Sequence, residues 1–149
     1  IKNKYFPKNT FAYDLSNNSL YDNYEYIDYQ KALEIHEKID NENLILIKNF
    51  RSKLKKLNLI INDRGIKPIF INQLMYDGLK DKKLFLVNNE LKNFALENNY
   101  YLIPLDEILN MKQNDYFDAA HTTPQGSKRI ADKVFPFLLE FFRENNEIN

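Results

Sequence analysis

The pattern of apolar and polar positions predicts a long amphipathic helix in the first half of the chain. It begins after Asp40 and ends at Gly65, where a left-handed glycine closes a helix at low cost. Apolar residues recur along one face at a spacing of three or four: Ile47, Phe50, Leu54, Leu57 and Ile61. Basic side chains fill the other side, so the apolar face is predicted to be buried. A shorter helix is predicted from Tyr29 to about Ile39.

Two short apolar runs predict buried strands of a parallel sheet. They are residues 67–73 and 100–105, and Pro104 fits the end of a strand because it cannot donate to a central ladder. The segment between the first strand and the next helix, residues 74–86, is predicted to be a loop.

Two further helices are predicted in the second half of the chain. The first is capped by Asn88 or Asn89, and its inner face carries Leu91, Phe94 and Ala95. The last helix has Thr123 at its N-cap and Pro124 at its first position. Its apolar face carries Ile130, Val134, Phe137, Leu138 and Phe141. Pro136 is expected to kink or split this helix, and the polar tail from Arg143 is expected to fray.

The order of these elements is typical of an α/β fold with a parallel sheet and right-handed crossovers. Two strands are too few for a stable sheet of this kind. Further strands are therefore expected within residues 1–30, or the sheet is completed elsewhere. Residues 1–30 are rich in Tyr and Asn and are predicted to form an irregular arm, while residues 31–149 form the α/β domain.

Composition and charge exclude several functional classes. Lys+Arg and Asp+Glu balance at 21 each, so the electrostatic signature of a nucleic-acid binder is missing. The chain has no cysteine, which excludes a disulfide framework, a thiolate zinc site and a cysteine nucleophile. Its apolar stretches are far shorter than the roughly 20 residues of a membrane span. No signal-peptide pattern occurs in the chain given, and the compartment stays open.

An Asp and a His stand three residues apart just before the last helix. Asp118 and His121 follow the second predicted strand, and ligands of open α/β sheets bind near the carboxyl ends of strands. A carboxylate that bonds one imidazole nitrogen fixes the tautomer, and the other nitrogen can then take a proton from a hydroxyl. The same two residues are also compatible with a loop-capping Asp118 and a surface His121.

The segment around this pair resembles the fifth sequence block of the SGNH/GDSL hydrolase family. That block joins Asp-x-x-His to a small or hydroxyl residue, a glycine and an amphipathic C-terminal helix. Here it runs Asp118-Ala119-Ala120-His121-Thr122-Thr123-Pro124-Gln125-Gly126. Upstream, residues 65–73 are similar to the family's penultimate strand, residues 89–95 to the following helix and residues 102–106 to the end of the last strand.

The resemblance implies a three-layer α/β/α parallel sheet of flavodoxin-like SGNH type, incomplete at the N-terminus. It implies hydrolysis of acyl or O-acetyl esters, including those of carbohydrates, through an acyl-serine and without a cofactor or metal. His121 would be the general base and Asp118 its orienting residue. Gln73 and Tyr76 follow the penultimate strand and are predicted to contact substrate. The acidic residues Asp77, Glu107 and Asp115 form no ligand set with histidine at metal-binding spacing.

The chain departs from the family at the nucleophile. The Gly-Asp-Ser and Gly-x-Asn-Asp blocks are missing; the nearest strings are Tyr13-Asp14-Leu15-Ser16 and Asn62-Asp63-Arg64-Gly65. The other serines, Ser19, Ser52 and Ser127, lie in turn or helix contexts. Residue 1 is Ile, which fits a truncated chain, so the polypeptide is expected to be poorly active or inactive alone.

Two other functions stay open. A non-catalytic half-domain would bind a partner or self-associate to complete its sheet. A flavodoxin-like domain would bind a small ligand, but it requires a phosphate-cradling glycine-rich turn, and the three glycines are isolated. The remaining histidine, His36, lies among charged residues and is predicted to be exposed to solvent.

Overall fold

Five helices and a two-stranded parallel sheet form the part of the chain that the structure describes. The structure is a computed structural model, and it describes residues 24–145. The elements in chain order are α1 (Tyr29–Ile35), α2 (Asn41–Asp63), β1 (Ile69–Ile71), α3 (Lys82–Glu97), β2 (Tyr101–Ile103), α4 (Leu105–Ile108) and α5 (Pro124–Glu144). A 3-10 turn, Gln113–Asp115, precedes α5. Most of the predicted N-terminal arm and the end of the polar tail lie outside the described residues.

The two strands pair in parallel, which confirms the mixed α/β class. Ile69 lies opposite Tyr101, and Ile71 lies opposite Ile103. Both strands were predicted to be buried, and this is wrong for β1: Ile69 and Phe70 are half-buried and Ile71 is 42% exposed. Among residues 24–145, β1 has a strand neighbour on one edge only, so its other edge lacks the cover that a central strand receives.

The predicted long helix is confirmed as α2. The Asp40 carboxylate accepts a hydrogen bond from the N–H of Asn43 at 2.9 Å, which satisfies a donor that the helix leaves unpaired. Beyond its end, Gly65 has φ +60°, the left-handed conformation predicted there. The predicted face is only partly covered, since Leu54 is buried and Leu57 is 42% exposed. The shorter helix α1 ends four residues before the predicted end at Ile39.

The helix α3 begins earlier than predicted. Its N-cap is Asp81, whose carboxylate accepts from the N–H of Leu84 at 2.9 Å, so residues 82–86 are helical and the predicted loop is too long. Asn88 therefore lies inside the helix, where its side chain bonds the segment after β1 instead of capping. The predicted inner-face residues Phe94 and Ala95 are buried.

The start of α5 is as predicted, with the Thr123 hydroxyl accepting from the N–H of Gly126 and Pro124 at the first position. Of the two outcomes predicted for Pro136, a split of the helix is wrong, whereas a kink stays a prediction. The helix continues to Glu144 because Pro136 lies on its exposed side, and Asp132, whose carbonyl loses its usual helical donor, is also exposed.

Two apolar clusters form the core. The larger one joins the sheet, the segment after β2 and α5; its buried members are Leu74, Tyr76, Ile103, Leu105, Leu109, Met111, Tyr116 and Val134. The smaller one lies among α1, α3 and the loop before α3; its buried members are Ile27, Ala32, Leu79, Leu84, Phe85 and Leu86.

The prediction that His36 is exposed is wrong. It is only 9% exposed, its Nε2 lies 2.9 Å from the carbonyl oxygen of Leu79, and its ring packs against Phe85 at 5.3 Å between centroids. The neighbouring charges suggested a solvated helix, but His36 is the C-cap of α1 and turns inward onto the smaller cluster.

Candidate active site

The Asp118 and His121 side chains lie in direct contact in the loop before α5. Nδ1 of His121 is 2.8 Å from Oδ2 and 3.0 Å from Oδ1 of Asp118. The same Oδ1 accepts hydrogen bonds from the backbone N–H of Ala120 at 2.9 Å and of His121 at 2.8 Å. The spacing of three residues thus closes a small ring in which one carboxylate binds two amides and the imidazole.

These bonds fix the charge of the carboxylate. The backbone N–H of Ala120, then that of His121 and then the imidazole lower the pKa of Asp118 to about 2. The carboxylate is therefore ionised at neutral pH and can only accept hydrogen bonds. Nδ1 of neutral His121 consequently carries the proton, which leaves the lone pair on Nε2. The imidazole is 81% exposed, so Nε2 is open to an incoming hydroxyl.

The loop that carries the pair is closed by backbone hydrogen bonds. The N–H of Phe117 donates to the carbonyl of His121 at 2.8 Å, and the N–H of Thr123 donates to the carbonyl of Asp115 at 2.8 Å. A third bond comes from outside the loop, where the N–H of Tyr76 donates to the carbonyl of Ala119 at 2.9 Å. The loop is thereby attached both to α5 and to the segment that follows β1.

Next to the loop lies an ion pair that the sequence did not reveal, with a buried carboxylate and a partly exposed guanidinium. The side chain of Asp115 is 1% exposed; it accepts from the N–H of Lys112 at 2.6 Å and forms a salt bridge with Arg129 of α5. Arg129 also donates to the carbonyl of Asn110 at 2.7 Å. Asp115 was considered only as a possible metal ligand, and no local pattern links it to an arginine fourteen residues later.

Gly126 allows α5 to approach this loop closely. A Cβ at Gly126 would stand 2.0 Å from the carbonyl oxygen of Asp115, far inside van der Waals contact. The carbonyl that receives the Thr123 N–H therefore lies directly against the first turn of α5. This close contact is the physical reason for a glycine in the block around His121.

A second polar network lies at the carboxyl ends of the strands. The Asn88 side chain donates to the carbonyl of Gln73 at 2.8 Å and to Asp106 at 3.2 Å. Nζ of Lys92 lies 3.3 Å from Asp106 and 2.8 Å from Glu107. Burial raises the pKa of Asp106, and the charge of Lys92 opposes that rise. The network attaches α3 to the segments that follow both strands.

The two predicted substrate-contact residues occupy different surroundings. Gln73 is exposed directly beyond the end of β1. Tyr76 is 6% exposed, and its ring packs edge-on against Tyr24 at 4.8 Å and against Tyr116 at 6.1 Å between centroids. Both its ring and its backbone N–H therefore support the loop of His121. Substrate contact by either residue stays a prediction.

Within residues 24–145, no serine hydroxyl lies within hydrogen-bonding distance of Nε2 of His121. Ser52 is exposed on α2, and the hydroxyl of Ser127 lies 2.8 Å from that of Thr122. Ser16 and Ser19 lie outside the described residues. The same part of the chain holds no group of three or more acidic or histidine side chains arranged to bind a metal ion.

Comparisons of the chain with protein-family models, curated proteins and solved structures found no match. The resemblance of residues 118–126 to the SGNH/GDSL block therefore stays a prediction. None of the helices in the described segment is long and apolar enough to cross a membrane.

Proposed function

We propose that the chain supplies the general base and the orienting carboxylate of an SGNH/GDSL-type serine ester hydrolase that acts on acyl or O-acetyl esters. One observation carries the proposal. Asp118 holds Nδ1 of His121 at 2.8 Å while Nε2 stays open, in a loop whose residues resemble the family's Asp-x-x-His block.

The proposed chemistry follows from the state of the two side chains. Nε2 of His121 takes the proton of a serine hydroxyl as its oxygen attacks the ester carbonyl, and the imidazolium returns that proton to the leaving alcohol. The ionised carboxylate of Asp118 stabilises the imidazolium in between. General-base assistance of this type contributes about 100- to 10,000-fold. The attacking hydroxyl must come from outside residues 24–145.

Side-chain alternation along β1 supports the proposed three-layer arrangement. Successive side chains of a strand point to opposite faces. Phe70 contacts Phe94 of α3 at 6.1 Å between ring centroids, whereas Ile69 packs with the core cluster that contains Val134 of α5. This alternation supports a placement of α3 and α5 on opposite faces of the sheet, as the proposed layer order requires.

Hydrolysis of p-nitrophenyl acetate in H2O and in D2O, with methanol added as a substitute for the serine hydroxyl, tests the proposed base. Proton removal by a general base slows the reaction in D2O, whereas direct attack of the imidazole on the ester does not. We expect slow p-nitrophenol release without an initial burst, because no acyl-serine forms on the described residues. Methyl acetate should form alongside acetate, since a general base accelerates attack by methanol as well as by water. His121→Ala should remove both protein-dependent rates, and Asp118→Asn should lower them.

The second histidine offers a matched control. His36→Gln removes one imidazole but retains an amide N–H that can reach the Leu79 carbonyl, and its rates should equal those of the unaltered protein. Equal rates for the unaltered protein and His121→Ala, or equal protein-dependent rates in H2O and D2O, would refute the proposed base. A burst of p-nitrophenol that disappears in Ser127→Ala would instead place the nucleophile within the described segment.

A further inference from the structure

Two short antiparallel segments frame the turn of the His121 loop, and their pairing fixes where its side chains point. Tyr116 and Thr122 form an antiparallel bridge. Next to this bridge, the N–H of Phe117 donates to the carbonyl of His121 at 2.8 Å. Phe117 and His121 are therefore directly opposite each other, at a hydrogen-bonded position of the pair.

This pairing places Phe117 and His121 on the same side of the loop. Directly opposite residues of an antiparallel pair project to one side, with Cβ atoms about 5 Å apart, and the adjacent residues project to the other. Burial follows that alternation: Tyr116 is 1% exposed within the larger core cluster, whereas Phe117 is 38% exposed and the imidazole of His121 is 81% exposed. The placement depends on contacts within the loop and not on the outer edge of β1.

The chemistry of the base decides which half of an ester lies beside Phe117, and this step rests on the function proposed above. Nε2 of His121 returns its proton to the oxygen of the leaving alcohol. That oxygen must lie within about 3 Å of Nε2 for the transfer to occur. The alcohol moiety therefore extends alongside the histidine, where Phe117 is the neighbouring side chain.

We propose that Phe117 contacts the alcohol moiety of the ester, and that this moiety is a ring with one flat apolar face, as in a pyranose sugar. The phenyl ring of Phe117 is a flat apolar surface on which the C–H face of such a ring can pack. Between Phe117 and His121 the exposed side chains of Ala119 and Ala120 are methyl groups, which leave room for a ring.

The exposure of the loop favours a sugar over a wholly apolar alcohol. An alkyl or aryl alcohol gains most from an enclosed pocket that removes all of its surface from water. The described residues instead leave the imidazole of His121 81% exposed. A sugar ring suits this open surface, because its C–H face covers Phe117 while its hydroxyl groups stay in water.

An NMR titration of the protein with methyl β-glucopyranoside tests the contact. The amide signals of Phe117 and His121 should shift to saturation, with a dissociation constant of about 1–50 mM, as expected for a ligand of this size. Sorbitol is the ligand control, because it carries similar hydroxyl groups without a ring, and it should cause no saturating shift.

Variants of Phe117 test whether its ring makes the contact. Phe117→Ala should weaken binding of the pyranoside about fivefold, the usual worth of one ring contact, and Phe117→Trp should retain binding because indole is also flat. Phe135→Ala is the matched control and should bind normally. Phe135 is also an exposed phenylalanine, at 59%, but it lies eleven residues beyond Pro124 and thus about 16 Å along α5.

The contact and the proposed base can fail separately. His121→Ala should abolish the hydrolysis of p-nitrophenyl acetate but retain binding of the pyranoside, because Phe117 remains. No saturating shift in the unaltered protein, or equal binding by Phe117→Ala, would overturn the contact even if His121→Ala abolishes hydrolysis. Unchanged hydrolysis in His121→Ala would refute the base, and with it the assignment of the bound sugar as the alcohol moiety.

Discussion

Replacing Gly126 with alanine tests whether the loop of His121 is held by its close contact with α5. In an ordinary helix this change stabilises the protein by about 1 kcal/mol, because alanine is the better helix former. At Gly126 the new Cβ would lie 2.0 Å from the carbonyl oxygen of Asp115 and 2.9 Å from its carbonyl carbon. The neighbour is backbone rather than the end of a flexible side chain, so relief requires the loop to move.

The magnitude follows from that movement. The Asp115 carbonyl must retreat by about 1.4 Å to reach an ordinary 3.4 Å contact, and a well-packed region resists such a shift. Overpacking costs about 1–3 kcal/mol. The retreat also strains the 2.8 Å bond from the Thr123 N–H, worth about 1 kcal/mol. After subtracting the gain in helix propensity, we expect the free energy of unfolding to fall by about 2 kcal/mol.

Urea unfolding followed by circular dichroism measures this change directly. Gln125→Ala, at the preceding exposed position of α5, is the control and should stay within about 0.5 kcal/mol of the unaltered protein. The amide NMR signals of Ala120 and His121 should also shift in Gly126→Ala, because the carbonyl of Asp115 and the Asp118 turn belong to one loop. A Gly126→Ala protein as stable as the unaltered one, or more stable, would refute the close contact.

Three further variants test the groups around the loop. Thr123→Ala removes the N-cap acceptor of α5 and should cost about 1 kcal/mol in urea unfolding, while Thr123→Ser should retain most of it. Arg129→Gln leaves the Asp115 carboxylate buried without its cation and should cost about 3 kcal/mol; combining it with Asp115→Asn should cost less than the sum of the two changes. For Asp118 the folded pKa, about 2, lies below the ordinary 3.8, so its bonds stabilise the protein fully above about pH 4, and that stability is lost as the pH falls towards 2. The stabilities of the unaltered protein and Asp118→Asn should therefore converge between pH 4 and 2, and a difference that stays constant over this range would contradict the assigned bonds.

The sequence predicted correctly the helix starts that depend on a capping residue directly before the helix. Asp40 and Thr123 stand directly before apolar periodic segments, and both cap the helices that follow. The same reasoning placed the start of α3 at Asn88 or Asn89, because it gave no weight to Asp81. The side chain of Asn88 satisfies the backbone of Gln73 fifteen residues away, a contact that no local pattern contains.

In the candidate site, too, the local contact could be predicted from the sequence and the long-range contacts could not. Asp118 and His121 could be paired from sequence because their contact spans three residues and needs only one turn of the chain. The Asp115–Arg129 ion pair and the Tyr76 amide that hold the loop depend on where α5 and the end of β1 meet. Their partners are fourteen and forty-three residues apart, so only the tertiary fold reveals them. His36 was misjudged for the same reason: its neighbours in sequence are charged, whereas its neighbours in space are Leu79 and Phe85.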